Sequence, residues 1–183
     1  MNIFKTIKER FFMSDEEFLR SQGVKIGKGC YISSRKFSSE GYLIEIGNYV
    51  RIASGSSFYT HGGIWPLRHI KNDPALDYFG KIKIGDYTSI GSNVMVMAGV
   101  TIGSRCIVGG GSVVTKSVPD GWMVAGNPAR FIGYTDDFYN RLKSGGKDLA
   151  CKLMKRDEKD ALLMSLPEDR FVVKPYMKLP EKK

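Results

Sequence analysis

The sequence predicts an all-β protein wound as a parallel β-helix, with a short helix before the coil and a helical extension after it. Aliphatic residues recur at every sixth position in the middle of the chain, at Ile84, Ile90, Val96, Ile102, Val108 and Val114. Small or β-branched residues recur with the same period, at Thr88, Val94, Val100, Cys106, Ser112 and Val118. A period of six fits neither an α-helix nor a simple hairpin, but it fits a triangular coil in which each hexapeptide forms one strand and one corner. Six consecutive matches to two classes of position also argue against a meander of short strands.

The composition is that of one folded domain with a tail. The chain has 183 residues, of which 42% are hydrophobic, and no apolar run approaches the roughly 18 residues that span a membrane. The charged N-terminal residues leave no apolar signal-peptide core, so a cytoplasmic location is expected. The three cysteines are widely spaced, which indicates neither a disulfide framework nor a zinc cluster, and no metal is expected. The net charge of +9 is spread along the chain without a basic run, which argues against nucleic-acid binding.

Residues 1–23 are predicted to form a helical cap. Ser14 and Glu17 have the spacing of a capping box, which satisfies free backbone N–H groups at the start of a helix. Phe4, Ile7 and Phe11 form one apolar stripe. Such a helix could contact a membrane surface, but closing the bottom of the coil is favoured, because a solenoid needs a cap.

The β-helix is predicted over residues 24–133. The hexad pattern begins before the central block, at Ile26, Ile32, Ile46, Ile52 and Phe58. Its register jumps twice, which predicts an insertion at Lys36–Glu45 and a longer inserted loop over about Thr60–Lys83. A solenoid accepts insertions at its corners, where an extra loop leaves the stacked strands undisturbed. Long loops on a rigid scaffold often carry binding and catalytic groups, so the longer loop is the first candidate for a site.

Residues 134–183 are predicted to be a C-terminal extension without an assigned function. The segment Asp136–Lys155 has a helical pattern, and Leu162–Leu166 is a candidate second short helix. The last residues, Pro175–Lys183, are expected to be frayed, as chain ends commonly are.

Three segments of the repeat resemble the hexapeptide-repeat acyltransferases, in the branch of galactoside, maltose and polysaccharide O-acetyltransferases. They are Ala98-Gly99-Val100-Thr101-Ile102-Gly103, Gly111-Ser112-Val113-Val114-Thr115-Lys116 and Gly126-Asn127-Pro128-Ala129-Arg130. The resemblance extends over about residues 24–133 and is most specific from Ile84 onward. It implies a left-handed coil, a homotrimer with three active sites between neighbouring subunits, and acetyl-CoA as the donor.

The chain has two histidines, both in or beside the longer insertion. Acetyl transfer to a hydroxyl needs a base that works near neutral pH, for which imidazole is suited. His61 follows Phe58 by three residues, the place where the resembling acetyltransferases carry their catalytic histidine. The resemblance implies that His61 takes the acceptor's proton as its oxygen attacks the thioester directly, without an acyl-enzyme. His69 has no such match and is expected to be structural, and whether an acidic group orients His61 stays open.

The resemblance also assigns the cofactor-binding residues. Ser92 matches a position that contacts the thioester, where a developing oxyanion needs a donor, although an ordinary turn residue is the alternative. Lys116 and Arg130 match positions that hold the phosphates of coenzyme A, and Thr115 belongs to the same set. Gly110 matches a position where the cofactor passes close to the backbone, which a missing side chain permits.

Tyr59, Trp65 and Arg68 are the candidates for the acceptor site, as an aromatic and hydrogen-bonding wall for a glycan ring. Packing of the loop against the coil is the alternative for all three. The galactoside and maltose enzymes have an Asn/Asp-rich segment where this chain has residues 33–37, Ser-Ser-Arg-Lys-Phe. Their acceptors therefore do not carry over.

The function expected from these features is transfer of an acetyl group from acetyl-CoA to a hydroxyl of a saccharide, with surface-polysaccharide biosynthesis as the setting. An N-acetyltransferase for an amino sugar and a non-catalytic β-helix scaffold remain as alternatives. A carbonic anhydrase of this fold needs three metal-binding histidines, and the chain has two. A serine acetyltransferase usually has a long helical N-terminal region, for which 23 residues are too few.

Overall fold

The computed structural model describes residues 13–176, and the predicted stripe of Phe4, Ile7 and Phe11 lies outside them. Residues 24–125 wind into a parallel coil whose strands are mostly two residues long. The strands are β1 (Lys25–Ile26), β2 (Tyr31–Ile32), β3 (Lys36–Phe37), β4 (Ile44–Ile46), β5 (Arg51–Ile52), β6 (Ser57–Phe58), β7 (Ile82–Ile84), β8 (Ser89–Ile90), β9 (Met95–Val96), β10 (Thr101–Ile102), β11 (Ile107–Val108), β12 (Val113–Val114) and β13 (Trp122–Ala125), followed by the antiparallel β14 (Arg130–Tyr134).

Three sheets form the sides of the coil. The first sheet has the order β1-β4-β7-β10, the second β2-β5-β8-β11-β13-β14, and the third β3-β6-β9-β12. All neighbours in the first and third sheets pair in parallel. The prediction of a parallel β-helix is therefore confirmed.

The hexad positions fill the interior of the coil. All six members of the central aliphatic series are at most 3% exposed. The polar members of the second series are buried with their hydrogen bonds made, which removes the cost of burying a hydroxyl. Thr88 donates to the carbonyl of Gly103 at 2.7 Å, and Ser112 donates to that of Gly109 at 2.6 Å.

The first insertion is shorter than predicted. Lys36 and Phe37 belong to strand β3, which pairs with β6, so the chain leaves the coil only over residues 38–43, where Gly41–Leu43 form a 3-10 turn. The Phe37 ring packs on that of Phe58 with centroids 4.3 Å apart. The prediction of an insertion over Lys36–Glu45 was wrong at both ends. At its start, the step from Ile32 to Phe37 is five residues rather than six, and at its end strand β4 already begins at Ile44.

The longer inserted loop occupies residues 59–81 and contains helix α2 (Trp65–Ile70). Before the coil, helix α1 (Asp15–Ser21) begins at the predicted capping box of Ser14 and Glu17. It buries Leu19 completely in the hydrophobic core.

A separate C-terminal unit begins at Asp136. Its helices are α3 (Thr135–Ser144) and α4 (Arg156–Ser165), and Glu168–Arg170 form a 3-10 turn. Helix α3 begins one residue before the start of this unit. The prediction of helix through Lys155 was wrong after Ser144, because Gly145 and Gly146 follow there and Gly146 has a φ of +60°. No helix within residues 13–176 is long and apolar enough to cross a membrane.

Candidate active site

Both insertions leave the coil at the same corner, where the chain passes from the third sheet to the first sheet of the next coil. We call this the insertion corner; it comprises residues 38–43, 59–81, 97–100 and 115–117, which follow strands β3, β6, β9 and β12. Side chains from successive coils therefore meet there, although they are far apart in sequence.

His61 and Glu40 are joined at this corner. The Nδ1 atom of His61 lies 2.9 Å from Oε2 of Glu40, and the two residues are 21 positions apart in the chain. The carboxylate also accepts hydrogen bonds from Thr60 at 2.7 Å and from Ser39 at 2.6 Å. The His61 side chain is 44% exposed, whereas that of Glu40 is 17% exposed. The carboxylate thus lies behind an imidazole that remains open to solvent.

Hydrogen bonding keeps Glu40 ionised. The donors Ser39 and Thr60, followed by His61, lower the pKa of Glu40 to about 2. A carboxylate at Nδ1 selects the tautomer that carries its proton there, which leaves the lone pair on Nε2. Because the folded-state pKa is depressed, the stabilisation from this network is present above the ordinary value of 4.5 and is lost as the pH falls toward 2.

The returning end of the loop holds His61 in place. His61 forms an antiparallel bridge with Phe79, and their rings meet edge to face with centroids 5.8 Å apart. The N–H of Gly80 donates to the carbonyl of Thr60 at 2.7 Å. A side chain at Gly80 would overlap the backbone of Gly99, so glycine permits this close approach.

Lys116 and Arg130 line one groove of about 350 Å³ together with the aromatic residues Trp122 and Phe131. Lys116 and the exposed Thr115 lie at the insertion corner after β12, two coils from His61. With strands about 4.8 Å apart, the corresponding corner positions are separated by about 10 Å along the axis of the coil. The groove therefore offers two cations and an apolar wall, and it extends from Lys116, at the corner that carries His61, to β13 and β14 of the second sheet.

Ser92 and Gly110 lie at the other edge of the third sheet, where the chain enters it from the second sheet. The two are stacked on adjacent coils, and the N–H of Gly111 donates to the carbonyl of Ser92 at 2.8 Å. Both residues are exposed. Within one chain, the structure brings Ser92 and Gly110 together but separates them from His61 by the width of the third sheet.

The acceptor candidates belong to the longer loop and differ in their contacts. Tyr59, at the insertion corner, is 40% exposed, and Trp65 is 66% exposed. The Trp65 ring meets His69 edge to face at 4.5 Å. Arg68 binds Asp77 at 2.9 Å and donates to the carbonyl of Leu76 at 2.6 Å, so its guanidinium closes the loop on itself.

Glu40 is the residue of this corner that the sequence interpretation missed. Glu40 follows Phe37 by three residues, as His61 follows Phe58, and Phe37 pairs with Phe58. This equal offset was hidden because Phe37 was placed in the insertion rather than in the coil. In residues 13–176, no group of three or more His, Cys, Asp or Glu side chains is placed to hold a metal ion.

Comparisons with known proteins match both the repeat and the coil. Residues 81–116 match the family described as bacterial transferase hexapeptide (six repeats). Protein CapG of Staphylococcus aureus is 41% identical over 160 residues, which are 85% of this chain and 91% of CapG. Galactoside O-acetyltransferase of Escherichia coli (strain K12) is 30% identical over 136 residues, 74% of this chain and 66% of that enzyme. The structure of a galactoside acetyltransferase in complex with coenzyme A shares the fold, with a TM-score of 0.55 and 24% identity over 74% of this chain and 80% of that one.

Proposed function

Because the chain belongs to the hexapeptide-repeat acyltransferase family, we propose that it transfers an acetyl group from acetyl-CoA to a hydroxyl of a saccharide, with His61 as the general base. The observation that carries the proposal is the hydrogen bond of 2.9 Å between His61 and the ionised Glu40. A partly exposed imidazole whose second nitrogen is held by a less exposed carboxylate is well suited to act as a general base.

The groove of Lys116 and Arg130 is the proposed site for the phosphate end of acetyl-CoA. Coenzyme A carries several phosphate charges, which cations and backbone N–H groups bind well. The similar galactoside acetyltransferase structure contains coenzyme A, which supports this donor. Thr115 precedes Lys116, and its exposed hydroxyl adds a hydrogen-bonding group at the same corner.

The proposed reaction is a direct transfer. Nε2 of His61 accepts the proton of the acceptor hydroxyl while the acceptor oxygen forms a bond to the thioester carbonyl carbon. The resulting oxyanion is stabilised by a hydrogen-bond donor. Its collapse breaks the carbon–sulfur bond, and the departing thiolate takes the proton from His61. Glu40 stabilises the imidazolium that exists between the two proton transfers.

A left-handed coil and a homotrimer with active sites between subunits complete the proposal. This assembly accounts for the separation of His61 from Ser92 and Gly110 in one chain. One subunit would supply His61 at its insertion corner, and its neighbour would supply Ser92 and Gly110 from the other edge of its third sheet. In this arrangement Ser92 contacts the thioester and Gly110 leaves room for the cofactor arm.

The exposed rings of Tyr59 and Trp65 are proposed to contact the acceptor, because both lie on the loop that carries His61. Arg68 stabilises the conformation of that loop through its contacts with Asp77 and Leu76. We propose that it contacts the acceptor while it keeps these two contacts. A saccharide used in surface-polysaccharide biosynthesis is the proposed acceptor class.

The test is acetyl-CoA turnover against a panel of mono- and oligosaccharides, followed by thiol release and by mass spectrometry of the products. We expect a mass increase of one acetyl group on an ester-forming hydroxyl, which mild alkali removes. Alkali-stable products formed only from amino sugars would show N-acetylation instead. If no acceptor is acetylated and acetyl-CoA does not bind, the proposed activity is wrong and a non-catalytic scaffold is favoured instead.

Replacing Glu40 by glutamine is expected to lower kcat about 10-fold to 100-fold, because a charge-assisted hydrogen bond contributes roughly 1.5–3 kcal/mol. The KM for acetyl-CoA should stay unchanged, since Glu40 lies behind His61. Steady-state kinetics with both substrates varied measures the two effects. Glu168→Gln, in the C-terminal unit, makes the same chemical change as a control, and an unchanged kcat in Glu40→Gln would remove Glu40 from the mechanism.

Replacing Lys116 or Arg130 by glutamine is expected to raise the KM for acetyl-CoA about 10-fold, because each variant loses one charged contact to phosphate. The value of kcat at saturating donor should be preserved, since neither residue touches the reacting atoms. Arg105→Gln removes an exposed cation from a different corner and is the matched control. Equal KM values in all three variants would contradict the assignment of the groove.

A further inference from the structure

A small basic pocket lies at the start of the first sheet, beside the insertion corner. Its volume is about 100 Å³, and its lining includes Lys25, Lys81 and Lys83 together with Tyr42 and Glu45. Lys25, Glu45 and Lys83 are cross-strand neighbours in register on β1, β4 and β7. All three are exposed on the outer face of the sheet. Lysine side chains therefore border this pocket from β1 and β7, the two strands that flank β4 and its Glu45, and from the end of the longer loop.

The pocket is connected to the proposed catalytic pair through both insertions. Tyr42 follows Glu40 by two residues, and Lys81 follows Phe79, the bridge partner of His61, by two residues. Consecutive Cα atoms are about 3.8 Å apart, so each step spans at most about 8 Å. Paired residues in an antiparallel bridge have Cα atoms about 5 Å apart. The Cα atoms of Lys81 and His61 are therefore at most about 13 Å apart, a distance that a mono- or disaccharide can span.

The positive charges of the lysines in this pocket are not paired with carboxylates in the described residues. Within residues 13–176, Lys25, Lys81 and Lys83 make no ion pair. Glu45 is the single carboxylate in the lining, against three ammonium groups. In a concave site, an excess of one sign of charge attracts ligands of the opposite sign.

The neighbouring acidic groups do not cancel this excess. Asp86 and Asp120 line the next groove along the first sheet, which Glu45 and Lys83 also border, and their carboxylates accept hydrogen bonds from backbone N–H groups. Asp86 accepts from Asn48 at 2.7 Å, and Asp120 accepts from Ser104 at 2.9 Å. These carboxylates tie adjacent coils together, whereas the lysines have no corresponding structural partner within residues 13–176.

We propose that this pocket, here called the lysine pocket, binds an anionic substituent of the acceptor, a carboxylate or a phosphate on the sugar, while His61 acts on one of its hydroxyls. The inference rests on the proposed acetyl transfer and names the class of acceptor. Tyr42, which is 67% exposed, borders the pocket on the side that follows Glu40. An acceptor bound in this way has its charge held at the first sheet and its hydroxyl directed to the insertion corner.

The test compares acceptors that differ only in the anionic group. Galactose, galacturonate and galactose 1-phosphate are supplied to the full-length enzyme with saturating acetyl-CoA. We expect the KM of at least one anionic sugar to be about 10-fold or more below that of galactose, the difference made by one charged hydrogen bond. Galacturonate and galactose 1-phosphate distinguish a carboxylate from a phosphate as the preferred group.

The variants Lys81→Gln and Lys83→Gln locate the effect. Each should raise the KM for the preferred anionic sugar about 10-fold and leave kcat, the KM for galactose and the KM for acetyl-CoA unchanged. Lys28→Gln is the control, because it removes an exposed lysine where the chain passes from the first sheet to the second. Thermal unfolding of each variant shows that the fold is intact.

Calorimetric titration of the same three sugars separates this inference from the proposed function. Binding of an anionic sugar that is about 10-fold weaker in Lys81→Gln supports the lysine pocket, whatever the turnover. Acetylation of galactose without preference for either anionic sugar overturns the pocket and leaves acetyl transfer standing. Absence of binding by both anionic sugars, with or without turnover, likewise overturns it.

Discussion

Replacing His61 by alanine is expected to lower kcat for acetyl transfer by about 10²-fold to 10⁴-fold, the usual contribution of a positioned general base. The loss follows from the proposed geometry, in which Glu40 engages Nδ1 and Nε2 of the partly exposed ring accepts the proton. Affinity for acetyl-CoA should be retained, since the groove of Lys116 and Arg130 lies two coils away. Single-turnover kinetics and equilibrium binding of coenzyme A measure the two quantities separately.

The natural control for this change is His69→Ala. His69 lies on helix α2 of the same loop and contacts the Trp65 ring rather than a carboxylate. Its replacement should leave the chemical step intact. Turnover by His61→Ala at the wild-type rate would contradict the proposed mechanism, and equal losses in both variants would show that the loop, rather than the imidazole, was disturbed.

Replacing Phe58 by alanine is expected to lower the free energy of unfolding by about 3–5 kcal/mol, as for other large aromatic residues in protein cores. Phe58 is fully buried and packs on Phe37 of the coil below. The lost side chain leaves a cavity that the hydrogen-bonded strands on either side cannot collapse to fill. Denaturant unfolding gives the free energy, and the melting temperature should fall by roughly 6–20 °C for a chain of this size.

Tyr31→Ala provides the comparison for Phe58→Ala. Tyr31 is 64% exposed on the second sheet, and its ring contacts only the Arg51 guanidinium, 5.9 Å from the ring centroid, among the ring contacts described. Its loss should cost about 1 kcal/mol or less. Similar destabilisation by both variants would mean that the interior position of Phe58 does not govern stability.

The coil was predictable because burial is periodic in sequence. Each hexapeptide places one aliphatic side chain in the interior of the coil. A polar side chain at such a position would lose its hydrogen bonds to water without gaining a hydrogen-bond partner in the protein. That constraint is local, so Ile84 and its successors indicate the strand positions without knowledge of distant contacts. The predicted parallel β-helix and the capping box at Ser14 were confirmed for this reason.

The prediction was wrong where the period itself changes. The five-residue step to Phe37 interrupts the pattern, although the corner absorbs the missing residue and strand β3 pairs normally with β6. Strand β14 reverses direction against β13, which a hexad pattern does not predict. The end of α3 is a local feature that Gly145 and Gly146 signal, but the helical pattern of the flanking residues concealed it.

The sequence alone indicated a hexapeptide coil, predicted over residues 24–133 and formed over residues 24–125, and placed His61 on a loop that leaves it, because both depend on spacing along the chain. Tertiary structure decided that Glu40 binds His61 and that Ser92 and Gly110 lie at the edge of the third sheet opposite His61. It also decided that Lys25, Lys81 and Lys83 line the same pocket. Such pairs depend on which coil stacks on which, and corner segments of different length separate stacked residues by unequal numbers of positions in the sequence. Stacking therefore brought together groups that their separation in sequence had hidden.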